Sequence, residues 1–264
     1  MEKSNHLSAE RKKLDYEFGG RQFVLTCQSE KDQYEYKQEQ DRLKKDEQIK
    51  YIEKLKLGSL MDEKFKRSTF ENFEITKDNE NYFKIAKIYA ENFEIMKKKK
   101  HGLLIYGNPG TGKTYLSYCI ANYLLSEGKK VIACSTLTLI RKIKERSSFG
   151  NDKLEAFYND LKKVDVLILD DLGSEDKNEW VNSRIYEIVD LIYRANKILI
   201  ITTNLEPDTA LKSKLTNKDG IPRIYDRVNE CCRRVKMKCN SRRIMEAERK
   251  QEEFNMLFKN AINK

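Results

Sequence analysis

The chain has 264 residues, with 52 Lys and Arg against 42 Asp and Glu, giving a formal charge of +10; 39% of residues are hydrophobic and 36% charged. No run approaches the eighteen or so apolar residues of a membrane span, and the start, Met1 to Asn5, lacks the apolar stretch of a signal peptide, so a cytoplasmic protein with no membrane contact is expected. Six cysteines without a C-x-x-C pair argue against a disulfide framework or a zinc site, and two histidines, His6 and His101, are too few for a multi-histidine metal centre.

Residues 1–66 carry 15 basic and 14 acidic residues, so charge density rather than charge sign marks this segment. From Gln28 to about Leu57 there is no Gly or Pro, and Leu43, Ile49, Ile52 and Leu55 form a thin apolar stripe, which predicts an exposed helix. Such a helix is either a solvated arm or a docking element for a partner protein. Tyr82, Ile85, Ala86, Tyr89, Ala90 and Phe93 then recur at helical spacing and predict a helix from about Asn79 to Met96. The Lys97 to Lys100 run after it reads as a solvated turn, with a phosphate contact as the alternative.

Four apolar runs follow: Leu103 to Tyr106, Val131 to Cys134, Val166 to Leu169 and Ile198 to Ile201. Runs without alternation are what strands buried on both faces look like. Between them lie helical stripes headed by Leu116, Leu154 and Val181, so an α/β fold with a parallel sheet covered by helices on both faces is expected. Val235 to Met237 is a candidate fifth strand.

Directly after the first strand the chain reads Gly107-Asn108-Pro109-Gly110-Thr111-Gly112-Lys113-Thr114. This is G-x-x-x-x-G-K-[ST] in a strand, loop, helix context. Glycines let backbone N–H groups turn inward around an anion, and the helix amino terminus adds partial positive charge. Lys113 then reaches the β and γ phosphates of ATP, and the Thr114 hydroxyl ligates Mg2+. The third strand ends in Asp170 and Asp171. Asp170 is the expected magnesium-side carboxylate, and Asp171 is expected to polarise the attacking water. The fourth ends at Asn204, which either orients that water or turns the chain.

GNPGTGKT, LILDDLG (Leu167 to Gly173), ITTNL (Ile201 to Leu205) and RIYDR (Arg223 to Arg227), in that order, resemble the AAA+ helicase-loader ATPases. These are the bacterial and phage replicative-helicase loaders of the DnaC or DnaI type, which share their core with the IstB type transposition helper ATPases. The likeness covers roughly residues 68–243. It implies a P-loop AAA+ (ASCE) core over 67–243, a charged helical amino-terminal arm over 1–66 that docks the partner, and a C-terminal helix over 244–264 without a full lid. It also implies Walker A positions at Lys113 and Thr114, Walker B at Asp170 and Asp171, and sensor 1 at Asn204. An arginine finger falls at Arg223, with Arg227 as the fallback, and sensor 2 at Arg242 in Asn240-Ser241-Arg242-Arg243. Relatives carry several closely spaced cysteines in the amino-terminal segment; Cys27 alone stands there, so no metal is expected in it.

Family members contact single-stranded DNA with a helix before the acidic strand. Here that stretch holds Arg141, Lys142, Lys144 and Arg146, with Phe149 following as a base-stacking candidate. An exposed basic face of an ordinary helix is the alternative reading. Phe254, Leu257, Phe258 and Ile262 share one face of the last helix and are expected to pack on the core.

The implied function is an ATP-dependent, Mg2+-requiring ATPase that forms a homo-oligomer and loads a hexameric replicative helicase onto single-stranded DNA, hydrolysis being the release switch. Two alternatives are an IstB type helper acting on duplex DNA and an adaptor that holds ATP without hydrolysing it. The adaptor is motivated by Asp171, where a Glu would reach one methylene further.

Overall fold

The computed structural model describes residue 10 and residues 13–18, 21–26, 29–148, 150–175, 178–216 and 219–262. His6, Cys27 and Phe149 lie outside these. The chain divides into two compact units, residues 1–53 and 54–264.

The first unit holds an antiparallel hairpin of β1 (Lys13–Phe18) and β2 (Arg21–Thr26), followed by most of α1 (Glu30–Gly58). The register closes on Phe18 opposite Arg21, leaving two residues between the strands. The helix was expected and begins two residues later than Gln28, while the hairpin was not foreseen. Its signal is in the sequence: Leu14, Tyr16 and Phe18 alternate with polar residues, and Gly19-Gly20 supplies a two-residue hairpin dipeptide. At the start of α1, the Ser29 hydroxyl accepts from Asp32 N at 3.1 Å, and the Asp32 carboxylate accepts from Ser29 N at 3.3 Å, a reciprocal cap.

The second unit is built on five parallel strands in the order β4-β5-β6-β3-β7. They are β3 (Gly102–Gly107), β4 (Val131–Ser135), β5 (Val166–Asp170), β6 (Ile198–Thr203) and β7 (Cys232–Met237). The four continuous apolar runs form the four strands β3 to β6. Successive side chains point to opposite faces, which divides the core in two. Leu103, Ile105, Val166, Ile168, Ile198 and Ile200 pack against α2 (Glu80–Glu91) and α4 (Lys113–Ser126). Leu104, Leu167, Leu169, Leu199 and Ile201 face α5 (Thr136–Ser148), α6 (Asn151–Lys162), α7 (Glu179–Arg194) and α9 (Arg223–Cys231).

The helix predicted over 79–96 breaks at Asn92 into α2 and α3 (Phe93–Lys99). Both the backbone N–H and the side-chain amide of Asn92 donate to the Ile88 carbonyl, at 3.0 and 2.8 Å, and Asn92 itself (φ −102°, ψ 24°) leaves the helical conformation. A wide helical turn, Pro207–Leu211, runs into the short α8 (Lys212–Leu215). On the last helix, α10 (Arg242–Ile262), Phe254 and Phe258 do not pack on the core as expected, and the side chains of Leu257 and Ile262 lie outside the described residues. Phe254 and Phe258 are 54% and 53% exposed, and their rings meet each other at a tilt of 34° with centroids 4.4 Å apart instead.

Candidate functional site

All five strands are parallel, so β3, β5 and β6 deliver Gly107, Asp170 and Asn204 to one edge of the sheet, where open α/β folds bind ligands. The loop after β3 runs under close packing. A Cβ on Gly107 would lie 2.2 Å from the Met237 carbonyl oxygen, and one on Gly110 (φ +84°) would lie 2.1 Å from Ser241 Oγ. Gly112 (φ +97°) caps α4, a left-handed conformation that glycine adopts without strain. Thus β7 and the residues after it press on the loop from outside, and Arg242 N donates to the Gly110 carbonyl at 3.0 Å.

Lys113 opens α4 with its side chain buried. Its ammonium donates to three acceptors: the carbonyls of Gly107 at 2.9 Å and Asn108 at 2.8 Å, and Asn204 Oδ1 at 2.7 Å. All three of its protons are therefore engaged by the loop and by the residue that follows β6. Burial lowers its pKa, Asp171 and Asp170 act in the opposite sense, and the charge of Arg243 adds to the lowering. Asn204 completes a chain, because its Nδ2 donates to Asp171 Oδ1 at 2.8 Å.

Asp170 ends β5 at 7% exposure. The Thr202 hydroxyl donates to Asp170 Oδ1 at 2.6 Å and accepts from Asp171 N at 2.9 Å, so one β6 side chain fixes both acids. Burial raises the Asp170 pKa, while hydrogen bonds from Thr202 and Thr114 pull it back. Asp171 takes a left-handed backbone (φ +57°) that Asp tolerates, and this turns its carboxylate toward Asn204. Thr203 Oγ1 donates to the Leu172 carbonyl at 2.6 Å and pins the turn from below.

Thr202 and Thr203 stand in the sequence only as part of ITTNL; their role follows from the β5–β6 pairing, which sequence does not give. Glu175 was not singled out at all. It is 2% exposed, its Oε2 accepts from Gly173 N at 2.9 Å, its Oε1 has no partner among the described residues, and burial raises its pKa.

The remaining predicted residues are not joined to this group in the same way. Arg223 is the first residue of α9, 40% exposed at the side chain, with a surface ion pair to Asp219. Arg227 is turned inward, bonded to Asp190 at 2.9 and 2.8 Å and set over the rings of Tyr186 (5.0 Å) and Tyr193 (5.8 Å). The Arg242 guanidinium pairs with Glu74 over the Phe73 ring, and it is the neighbouring Arg243 whose charge is felt at Lys113. On α5, Leu139, Ile140 and Ile143 are buried, while Arg141, Lys144 and Arg146 are exposed and Lys142 pairs with Glu145 at 3.0 Å.

The chemistry of this group suits a polyphosphate: a glycine loop that leaves no room for side chains, a buried ammonium and a helix amino terminus. Thr114 beside the buried Asp170 carboxylate offers the hard oxygen donors that Mg2+ takes from a protein while keeping its waters.

The chain is similar in sequence and fold to known replication proteins. The replicative helicase loader DnaC of Buchnera aphidicola subsp. Baizongia pistaciae is 29% identical over 178 residues, 65% of this chain and 71% of that protein. A crystal structure of DnaI superposes with a TM-score of 0.56 at 26% identity, covering 69% of this chain and 94% of that one. The replication initiator DnaA bound to AMPPCP and single-stranded DNA gives a TM-score of 0.54 at 26% identity over 74% of this chain, which spans only 56% of DnaA. The family model described as IstB-like ATP binding protein matches residues 22–250, and the chain belongs to that family, with a P-loop AAA+ fold.

Proposed function

We propose that this chain is an ATP-dependent loader that places a hexameric replicative helicase on single-stranded DNA during replication, with hydrolysis as the release switch. The observation that carries the ATP-driven part is the chain of hydrogen bonds Lys113–Asn204–Asp171, which links the phosphate loop to the acidic strand. The loader role is supported by the likeness to DnaC.

In this reading the β and γ phosphates of ATP replace the Gly107 and Asn108 carbonyls and Asn204 Oδ1 on the Lys113 ammonium. Asn204, released from Lys113, keeps its bond to Asp171 and turns its carbonyl to the attacking water, while Asp171 accepts that water's proton. Thr114 and Asp170 hold Mg2+, which supplies charge neutralisation of the phosphates when bound. Arg223, tied only by a surface ion pair, is free to reach a neighbouring subunit's nucleotide, whereas Arg227 is committed to Asp190 and two tyrosines. Arg243 shares with Arg242 the position for contacting the phosphates from the carboxyl side. Residues 1–66 dock the helicase, 67–243 form the ATPase core, and 244–264 the closing helix. The exposed basic face of α5 follows the DNA backbone.

A second reading, a transposition helper on duplex DNA, is favoured by the IstB-like family match over residues 22–250. Fluorescence anisotropy of a labelled thymidine oligonucleotide in ATP, ADP and no nucleotide, with duplex competitor, separates the two. Binding that requires ATP and resists duplex supports the loader. Binding that duplex removes easily overturns it in favour of the helper.

A further inference from the structure

Parallel strands bring all their amino ends to the edge opposite the phosphate loop, about 20 Å away for six-residue strands. The four segments that enter β3, β4, β5 and β6 are residues 97–101, 126–130, 160–165 and 194–197. Together they hold ten basic residues (Lys97, Lys98, Lys99, Lys100, Lys129, Lys130, Lys162, Lys163, Arg194, Lys197) and three acidic ones (Glu127, Asp160, Asp165). The four segments therefore carry a net +7, or +5 with Glu94 and Asp190, which pair with Lys129 and Arg194 on the same edge. At the start of β7, Glu230 and Arg233 cancel.

Some of these charges are compensated. Lys97 pairs with Asp165 at 2.6 Å, Lys163 with Asp160 at 3.3 Å, Arg194 with Asp190 at 2.7 Å, and Lys129 with Glu94. Lys98, Lys99, Lys130 and Lys197 have no carboxylate at ion-pair distance among the described residues. They belong to segments from three strands, so folding, not local sequence, gathers them. A cleft of about 300 Å³ opens on the same edge, lined by Lys100, Tyr193, Arg194, Asn196, Lys197 and Glu230.

We infer that this edge is a second nucleic-acid surface, separate from α5, that binds the phosphodiester backbone without reading sequence. Four strands at about 4.8 Å spacing spread the lysines over roughly 15 Å, a length along which a nucleic-acid strand carries a phosphate every 3.4 Å or so. An acidic protein is the poorer occupant, because protein interfaces are depleted of lysine and built around an apolar centre. None of the exposed large apolar side chains falls in these four segments. Because the edge lies across the sheet from the nucleotide loop, DNA held here leaves the ATP site open.

The test is a variant, K98Q/K99Q/K130Q/K197Q, in the full chain. Anisotropy of labelled single-stranded and duplex oligonucleotides is measured over a salt series in ATP, beside an R141Q/K142Q/K144Q/R146Q variant and a K98R/K99R/K130R/K197R variant. The edge variant is expected to bind at least about tenfold more weakly, with the slope of log affinity against log salt smaller by about 3, since each phosphate contact contributes roughly 0.7–0.9. Its ATP turnover without DNA stays at the wild-type value, and the arginine variant keeps wild-type affinity. The single-stranded and duplex arms show which form the edge prefers, and a loss in either supports it. Wild-type affinity and slope in the edge variant, loss confined to the α5 variant, or equal loss in the arginine variant overturns the proposal.

Discussion

Lys113 and Asn204 stand 91 residues apart in sequence and 2.7 Å apart in the fold, with the ammonium donating to the side-chain carbonyl. The bond exists because β3 and β6 are neighbours, so the loop that leaves one strand meets the residue that ends the other. Asn204 hands the contact on to Asp171, so side chains join the phosphate loop to the acidic strand.

Replacing Asn204 with Ala removes an acceptor from Lys113 but leaves its two carbonyl partners, so ATP affinity should change by less than about threefold while kcat falls on the order of a hundredfold, the scale of a lost positioning group at a reacting centre. Single-turnover hydrolysis against equilibrium nucleotide binding checks this. A parallel loss of both would show that Asn204 serves binding alone.

Asp170 is buried and its pKa is raised, chiefly by burial. The folded protein without nucleotide therefore holds this proton to higher pH than the unfolded chain does. The resulting stabilisation is complete below the ordinary aspartate value of about 3.9 and is lost as pH rises through the raised folded value. Asp170→Asn should accordingly raise the unfolding midpoint of the nucleotide-free protein by a few degrees at pH 7, with the gap closing near pH 3, and should lose the stabilisation that Mg-ATP gives the wild type. Thermal unfolding at the two pH values, with and without Mg-ATP, reads both effects.

Gly110→Ala puts a methyl 2.1 Å from Ser241 Oγ at a φ of +84°. Loop strain and the displaced Ser241 should together cost about 1–3 kcal/mol of stability and weaken ATP binding. Adding Ser241→Gly relieves the clash but not the φ, so denaturant melts should recover part of the loss and no more.

The two arginines of RIYDR should separate cleanly. Arg227→Ala removes one of the two arginines that pair with a largely covered Asp190, Arg194 being the other, together with two ring contacts, and should lower stability by about 1–2 kcal/mol. Arg223→Ala breaks a surface pair and should leave the melt within about 0.5 kcal/mol of wild type, while ATP turnover at assembling concentrations falls at least tenfold. Denaturant melts and concentration-dependent turnover distinguish them.

The parts of this molecule that could be read from sequence are those where one local rule decides. Val166 to Leu169 is apolar throughout because β5 is covered on both faces, and Lys113 is identified by its glycines and its helix. β7 was only half visible, as Val235 to Met237, because an edge strand exposes Arg233, Arg234 and Lys236 and breaks the apolar run. The strand order, and with it the Thr202 bridge between Asp170 and Asp171, depends on long-range pairing that no local pattern carries. Adjacent arginines pose the same difficulty: Arg242 turns to Glu74 while the charge of Arg243 acts on Lys113, a distinction set by how α10 leaves the loop.

The most direct measurement of the central claim is loading of the cognate replicative helicase onto circular single-stranded DNA by wild-type protein and by Lys113→Ala, scored as helicase retained on DNA and as strand unwinding after ATP is added. The account predicts that the wild type loads helicase in ATP and then releases it to unwind. Lys113→Ala, which lacks the ammonium that takes up the β and γ phosphates, should load at least tenfold less active helicase. Loading and unwinding at the wild-type rate by Lys113→Ala would contradict it.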